Sequence, residues 1–131
     1  MVEFNHISFF PRAIMRVEEQ FIECDRILYV LKLKHGCYYV GQSIKRCYEE
    51  RIKKHFMEKG SSWTKLHPPI EIIEEYEFVS DYRGGELLEN EKTVELMQKY
   101  GIEKVRGGFF SQTSMVDLEK NLAGHGYIIK K

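Results

Sequence analysis

The fold of this chain is decided by residues 26–41, RILYVLKLKHGCYYVG. Nearly every position of residues 27–33 is apolar and β-favouring, as in a central strand that is covered on both faces. A second short run, residues 37–40, follows after Lys-His-Gly, which suits a three-residue loop with Gly36 in the left-handed conformation. The sequence therefore predicts a β-hairpin.

The length of this loop decides which side chains share a face. With three residues in the loop, Leu33 pairs with Cys37, and the odd-numbered residues of both strands project to the same side. Tyr29 and Tyr39 then lie on one face of the sheet. A two-residue loop would place them on opposite faces, because a slip of one residue turns every side chain over.

Helices and a third strand are predicted around the hairpin. In chain order they are a helix over residues 44–59 that Ser43 caps, a loop over 60–69 (GSSWTKLHPP), a strand over 70–79, a helix over 86–100 that stops at Gly101, and a short helix from the cap Ser114 to Gly124. The strand alternates apolar with acidic residues, which is typical of a sheet with one wet face. We expect an α+β fold, with a small three-stranded antiparallel sheet flanked by helices.

A length of 131 residues fits one domain of ordinary size. We expect residues 26–110 to form this domain. Residues 1–25 are expected to be an N-terminal extension packed on it, with a helix that Pro11 opens. Residues 111–131 are expected to be a C-terminal helix and tail.

Composition excludes several classes of protein. Twenty Lys and Arg balance twenty Asp and Glu, and 43% hydrophobic with 31% charged residues is globular rather than collagen-like or disordered. No apolar run approaches the roughly 20 residues of a membrane span, and the first residues do not resemble a secretion signal. The three cysteines are odd in number and never spaced as Cys-x-x-Cys. We therefore expect a soluble intracellular protein, in the cytoplasm or nucleus, with no membrane partner.

Charge is segregated along the chain although its sum is zero. Residues 30–66 carry nine Lys or Arg against three Asp or Glu, whereas residues 67–103 carry three against ten. Two readings stay open at this point. The two stretches are surface faces that neutralise each other, or they are a phosphate-binding surface beside a surface that collects a metal ion.

Helical spacing separates the acidic residues of the predicted helix over 86–100. Glu91 has leucines three and four positions before it and Val94 three positions after it, so it is expected on the apolar face, with Glu89 facing solvent. A carboxylate on an apolar face is costly unless it is paired, hydrogen-bonded or bound to a cation. Glu91 is therefore either a partner of a basic residue or a site residue.

The order of these residues resembles the GIY-YIG nucleases. The first family motif, Gly-Ile-Tyr, is similar to residues 27–29 (ILY), and the second, Tyr-Ile-Gly, is similar to residues 39–41 (YVG) about ten residues later. The family's arginine, followed four positions later by a histidine, matches Arg51 and His55, and its metal-binding glutamate matches Glu91.

This likeness spans residues 26–110, and two segments, 63–68 and 100–108, look like a subgroup found in large DNA viruses and mobile elements. Two family residues have no clear counterpart. The first motif lacks its glycine, and no asparagine after the glutamate helix matches the one that orders the family's site. Arg106 or the backbone of Gly107 is a candidate substitute.

The resemblance implies a metal-dependent DNA endonuclease that hydrolyses phosphodiester bonds. The implied catalytic residues are Tyr29, Tyr39, Arg51, His55 and Glu91, with one Mg²⁺ or Mn²⁺ ion on Glu91 and no small-molecule cofactor. Arg51 would hold the phosphate, and Tyr29 would act as the base or position the water once nearby cations lower its pKa. Two alternatives are a catalytically weak nucleic-acid-binding module of the same fold and a structural α+β domain with no nucleic-acid partner.

Basic and aromatic residues near this site are the expected contacts to the DNA backbone. They are Lys45, Arg46, Lys53, Lys54, Trp63, Lys65, His67 and Arg106. For Trp63, packing beneath its loop competes with stacking on a base. Sequence preference is expected to come from DNA shape, from a homodimer or from another partner.

Overall fold

The computed structural model describes residues 22–128. The predicted N-terminal helix after Pro11 lies outside the described residues. The elements in chain order are β1 (Cys24–Leu33), β2 (Tyr38–Ile44), α1 (Tyr48–Phe56), α2 (Ser62–Leu66), β3 (Pro69–Ser80), α3 (Tyr82–Tyr100), β4 (Val105–Gly107) and α4 (Met115–Gly124). Short 3-10 turns at Lys34–Gly36 and Lys45–Cys47 join β1 to β2 and β2 to α1.

The four strands form one mixed sheet in the order β3-β1-β2-β4. The first three are antiparallel neighbours, which confirms the α+β class and the predicted strands. The prediction of three strands misses β4, which is only three residues long and runs parallel to β2. A strand of this length carries no readable alternation in the sequence.

The hairpin has the predicted register. Tyr29 pairs with Gly41, and the amide of Leu33 donates to the carbonyl of Cys37 at 2.8 Å. The left-handed conformation occurs at Gly36 as predicted and also at His35, both with φ of 68°. Three loop residues therefore separate the strands, and odd-numbered side chains share a face.

The two faces of the sheet carry separate apolar cores. Even-numbered residues of the hairpin, such as Leu28 and Val30, pack against α3 and α4. Odd-numbered residues, among them both hairpin tyrosines, pack against Tyr48 of α1 and Trp63 of α2. Since Leu118 of α4 is fully buried in the first core, this last helix packs on the sheet itself.

The predicted helix over 44–59 is wrong at both ends. Ser43 lies within β2 and its hydroxyl donates to the carbonyl of Ile44 instead of capping a helix. The reason is tertiary, because β2 keeps pairing with β1 as far as Ile44 and holds the backbone extended there. Helix α1 then ends at Phe56, and Glu58 takes a left-handed φ of 59°.

The predicted loop over 60–69 contains the short helix α2. The side chain of Ser61 caps it by accepting from the backbone N–H of Thr64 at 3.2 Å. The indole N–H of Trp63 donates to the carbonyl of Tyr38 at 2.9 Å, which anchors this helix to the hairpin.

Helix α3 starts earlier than predicted and buries a different face. Asp81 caps it by accepting from the amide of Gly84 at 2.8 Å, and Gly101, with φ of 106°, ends it as expected. The buried residues are mostly small or polar: Gly85, Glu89, Asn90, Thr93, Leu96 and Met97. The predicted apolar face is turned to solvent, with Leu87 57% exposed.

Strand β3 and helix α4 match their predictions closely. β3 is an edge strand, largely exposed along its length. Ser114 caps α4 by accepting from the amide of Asp117. None of the helices in residues 22–128 is both long and apolar enough to cross a membrane.

Candidate active site

Tyr29 lies at the centre of a hydrogen-bonded group on the face covered by α1. Its hydroxyl oxygen is 2.9 Å from Nε2 of His55 and accepts from Nε of Arg51 at 3.2 Å. His55 and Arg51 lie one turn apart on α1, so a single helix face delivers both to the phenol. Tyr29 and His55 are buried, whereas Arg51 is exposed.

Tyr39 joins the group from the neighbouring strand, as the odd-number rule predicts. Its ring centroid lies 6.5 Å from that of Tyr29 and 5.0 Å from that of His55. Burial raises the pKa of Tyr39, whereas Arg51 and Ser61, at the start of α2, lower it. Two phenols, an imidazole and a guanidinium therefore meet, as expected from the sequence.

Tyr48 of α1 also belongs to this group, although its sequence position does not mark it as a site residue. Its ring centroid is 5.6 Å from that of Tyr29, and its hydroxyl donates to the carboxylate of Glu75 on β3. Its position on the apolar face of α1 is the only signal for it in the sequence.

The carboxylate of the group comes from Glu89, not Glu91. Glu89 is 9% exposed, and Arg51, both tyrosines and the backbone N–H of Gln42 lie within its electrostatic reach. β4 pairs only with residues 38–40, so the outer edge of β2 is open from Gly41 onward. Helix α3 places Glu89 at this opening.

Glu91 is exposed, so the predicted apolar position of this residue and its assignment as metal ligand are corrected. The physical reason is that α3 approaches the sheet through small and polar residues. A Cβ on Gly85 would lie 2.3 Å from Oε1 of Gln42, and Thr93 donates to the carbonyl of Glu89 at 2.7 Å. Spacing of four between Gly85, Glu89 and Thr93 is the signal that hydrophobicity alone misses.

Burial sets the protonation of the group. Burial raises the pKa of Glu89 to about 8, the charge of Glu86 adds to this, and Arg51 opposes it. Burial also raises the pKa of Tyr29, which outweighs the lowering by Arg51. Burial and the charge of Arg51 lower the pKa of His55 to about 4, so its imidazole is neutral at pH 7. The expected lowering of the Tyr29 pKa by Arg51 is thus present but outweighed by burial.

The residues predicted to contact DNA divide into exposed ones and buried ones. Lys53 and Lys54 are exposed on α1 near Arg51, and Lys65 is exposed on α2. Arg46 is also exposed, while Lys45 makes a 2.5 Å ion pair with Glu77.

Trp63 and Arg106 are buried, which agrees with the packing alternative for Trp63 and corrects the expected contact of Arg106 with DNA. The Arg106 side chain is 1% exposed and its guanidinium lies 4.4 Å from the Trp63 ring. It donates to the carbonyls of Ile102, Val105 and Gln112. These bonds hold the backbone on both sides of β4, so Arg106 is a structural residue.

His67 lies at the end of α2 and contacts the hairpin loop. Its Nδ1 is 2.8 Å from Nδ1 of His35, and its ring packs edge-on against Trp63. It is partly exposed. His67 therefore links α2 to the tip of the hairpin, and any contact with DNA is additional to this link.

Asn90 directly follows Glu89 on α3, whereas the asparagine sought from the sequence is expected beyond the helix. Oδ1 of Asn90 accepts from the amide of Phe109 at 2.8 Å, in the turn that follows β4. A Cβ on Gly108 would meet this oxygen at 2.0 Å. Asn90 thus ties α3 to β4 and fixes the stretch of helix that carries Glu89.

The residues present fit one hard divalent cation. Mg²⁺ binds through one or two carboxylates and keeps several waters, so a cluster of protein ligands is not required. Residues 22–128 contain no group of three His, Cys, Asp or Glu side chains suited to a metal. Burial raises the pKa of Glu89 more than Arg51 lowers it, and a bound cation would favour the ionised carboxylate.

Comparison with protein-family models, with curated proteins and with solved structures gives no significant match to this chain.

Proposed function

We propose that the protein is a metal-dependent endonuclease of the GIY-YIG type that hydrolyses phosphodiester bonds in DNA. The observation that carries the proposal is the hydroxyl of Tyr29, held between Nε of Arg51 and Nε2 of His55, with the carboxylate of Glu89 close by. Such a group supplies each part that phosphodiester hydrolysis requires: a proton acceptor, a phosphate clamp and a cation ligand.

Arg51 clamps the phosphate in this proposal. Its guanidinium is a fixed fork of donors suited to non-bridging phosphate oxygens, and the residue is exposed to solvent. When the guanidinium turns to a phosphate, it leaves Tyr29, and one lone pair of the phenol becomes free to accept from water. Substrate binding and activation of the phenol are therefore linked through one side chain.

Tyr29 and His55 move the proton. The water oxygen bonds to phosphorus while the water proton passes to Oη of Tyr29, and the proton that Oη carried passes to Nε2 of His55. The P–O3′ bond breaks, and its electron pair leaves on the 3′ oxygen. A phenolate never has to form, so the raised pKa of Tyr29 is no obstacle. Because the pKa of His55 is about 4, the imidazolium then gives its proton back through Tyr29, and the 3′ oxygen takes up this proton to leave as a hydroxyl.

Glu89 would hold the divalent ion, which would supply positive charge to neutralise the phosphate and the leaving oxygen. Without the ion, a pKa of about 8 leaves much of Glu89 protonated at pH 7. Arg51 assists ionisation of Glu89, so its charge serves both the carboxylate and the substrate.

Plasmid nicking tests the proposal. Supercoiled plasmid is incubated with the protein and Mg²⁺ or Mn²⁺, with EDTA as the metal-free arm. Nicking is expected only with metal and is expected to fall at least 100-fold in Glu89→Ala and Arg51→Ala. Glu91→Ala is the matched control on the solvent side of α3 and should keep most of the activity.

Two outcomes would overturn this assignment. Equal loss in the two glutamate variants would mean that Glu89 has no special role. Salt-dependent DNA binding without cleavage under either metal would favour the binding module, an alternative that the complete burial of Tyr29 supports.

A further inference from the structure

We propose that Thr64 is a positioning residue that fixes the Nδ1–H tautomer of His55, so that Tyr29 donates its proton to Nε2 and keeps its lone pairs for Arg51 and water. The inference deepens the proposed nuclease function and rests on it for its catalytic meaning. The hydrogen-bond chain itself is a property of the folded protein.

The direction of the chain follows first from the Arg51 end. A guanidinium has only donors, so the oxygen of Tyr29 accepts from Nε of Arg51. The phenol is fully buried, and the other side chain at its hydroxyl is His55, whose Nε2 is 2.9 Å away. The Tyr29 proton therefore goes to Nε2, which must carry a lone pair. A neutral imidazole with a lone pair on Nε2 carries its hydrogen on Nδ1.

The same direction follows independently from the other end. The Thr64 hydroxyl lies 3.1 Å from the backbone carbonyl oxygen of Ser61, which only accepts, and 3.2 Å from Oγ of Ser61, which can donate or accept. With its single proton on the carbonyl and the Ser61 hydroxyl as donor, Thr64 keeps a lone pair of Oγ1 for Nδ1–H of His55 at 3.3 Å. Among residues 22–128 no buried side-chain polar atom lacks a partner, so both ends are satisfied by one arrangement.

The loop around Thr64 is shaped for this contact. Thr64 is completely buried, and the Ser61 cap places it on the first turn of α2. A Cβ on Gly60 would lie 2.2 Å from Nδ1 of His55 and 2.9 Å from Oγ1 of Thr64. Only a residue without a side chain lets the backbone pass against this edge of the ring. Residues 60–64 (GSSWT) therefore hold the imidazole of His55 through Nδ1, the ring nitrogen opposite the one that contacts Tyr29.

The tautomer of His55 decides whether Tyr29 donates a proton to His55 or accepts one from it. In the opposite tautomer, Nε2–H would donate to Tyr29 and compete with Arg51 and water for the phenol oxygen. The phenol would then have no acceptor for its own proton at His55. Thr64 thus acts through His55 and does not touch the substrate.

Nitrogen-15 NMR of the full-length chain tests the inference without DNA or metal. The two ring nitrogens of a neutral histidine have well-separated shifts, depending on which one is protonated, and His55→Gln identifies the His55 signals. At pH 7 the wild type and Thr64→Ser should carry the hydrogen on Nδ1. Thr64→Val, which keeps the shape of the side chain, should shift the population to Nε2–H. Thr93→Val, at an equally buried threonine that contacts Glu89, should leave the tautomer unchanged.

Activity provides the second readout. Thr64→Val is expected to lower the nicking rate at least tenfold with unchanged plasmid binding, and Thr64→Ser to restore most of it. An Nε2–H tautomer in the wild type, or an unchanged Nδ1–H tautomer in folded Thr64→Val, would overturn the inference. If the wild type nicks no DNA, the nuclease proposal fails, while the NMR comparison still decides the role of Thr64 in holding His55.

Discussion

Gly41 lies so close beneath the ring of Tyr29 that a Cβ at this glycine would be 2.4 Å from the phenol oxygen and 2.5 Å from Cζ. The two residues are direct partners in the hairpin. The ring of Tyr29 cannot yield easily, because Tyr48, Tyr39 and His55 surround it. The phenol of Tyr29 therefore occupies the space that any side chain at Gly41 would need.

Gly41→Ala should displace the phenol and destabilise the protein. We expect a loss of about 1–3 kcal/mol in the free energy of unfolding, as for overpacked cores, measured by urea denaturation. Nicking should fall by at least tenfold, because Tyr29 leaves its contacts with Arg51 and His55. Gly124→Ala is the control, since nothing lies within 4 Å of a Cβ there. Unchanged stability in Gly41→Ala would mean that the ring moves freely.

The hairpin and its two tyrosines could be predicted because they depend on local rules. The number of loop residues decides which side chains of the two strands share a face, and Gly36 indicates that number. The pairing of Arg51 with His55 follows from one helical turn. These contacts involve elements that are adjacent in sequence, so the sequence pattern carries them.

The carboxylate could not be predicted from hydrophobicity, because α3 buries its polar face. That face is decided by where β4 stops along β2 and by the close approach of Gly85 to Gln42. Both depend on residues far apart in sequence. The same holds for Thr64, whose partner His55 lies on a different helix and whose loop shows no regular pattern.

Acid should destabilise the protein through His55. Its pKa is about 4 in the folded protein against about 6.5 when unfolded, so between these values the unfolded chain binds a proton that the folded protein excludes. Stability is therefore complete above pH 6.5 and falls as the pH drops towards 4. The loss between pH 7 and pH 4.5 should be about 2–3 kcal/mol smaller in His55→Gln than in the wild type, measured by urea denaturation. His125→Gln, on an exposed histidine after α4, should keep the wild-type slope.

Glu89 should have the opposite effect on stability. Its pKa is raised to about 8, so the folded protein holds a proton that the unfolded chain releases above pH 4.5. Stability is thus highest below pH 4.5 as far as this group is concerned and is lost as the pH rises through 8. With EDTA at pH 9, Glu89→Gln should be about 3–5 kcal/mol more stable than the wild type.

Metal should reverse this difference. Added Mg²⁺ or Mn²⁺ at pH 8 is expected to raise the Tm of the wild type and of the control Glu91→Gln, because the ion binds the folded carboxylate. The Tm of Glu89→Gln should not respond. A metal-dependent rise in Glu89→Gln equal to that of the wild type would place the ion elsewhere.

Arg106 should matter for stability rather than for contact with DNA. Arg106→Ala leaves the carbonyls of Ile102, Val105 and Gln112 without this donor, and each buried loss costs about 1–3 kcal/mol. We expect a total loss above about 3 kcal/mol in urea denaturation. Arg106→Lys should recover only part of it, since an ammonium group lacks the planar fork. Arg83→Ala, an exposed arginine on α3, should change stability by less than about 0.5 kcal/mol.

Lys53 and Lys54 should account for part of the salt dependence of DNA binding. They are exposed on α1 beside Arg51, and each lysine that neutralises a phosphate contributes about 0.9 to the slope of log K against log salt concentration. The double variant Lys53→Gln/Lys54→Gln is expected to lower the slope by about 1.8, measured by fluorescence anisotropy with duplex DNA at several salt concentrations. Lys99→Gln/Lys120→Gln removes the same charge from the helices that cover the other face of the sheet, and its slope should equal that of the wild type. Because the net charge changes equally, a fall in both variants would indicate a general effect of charge, whereas a fall in the α1 variant alone identifies the face on which DNA lies.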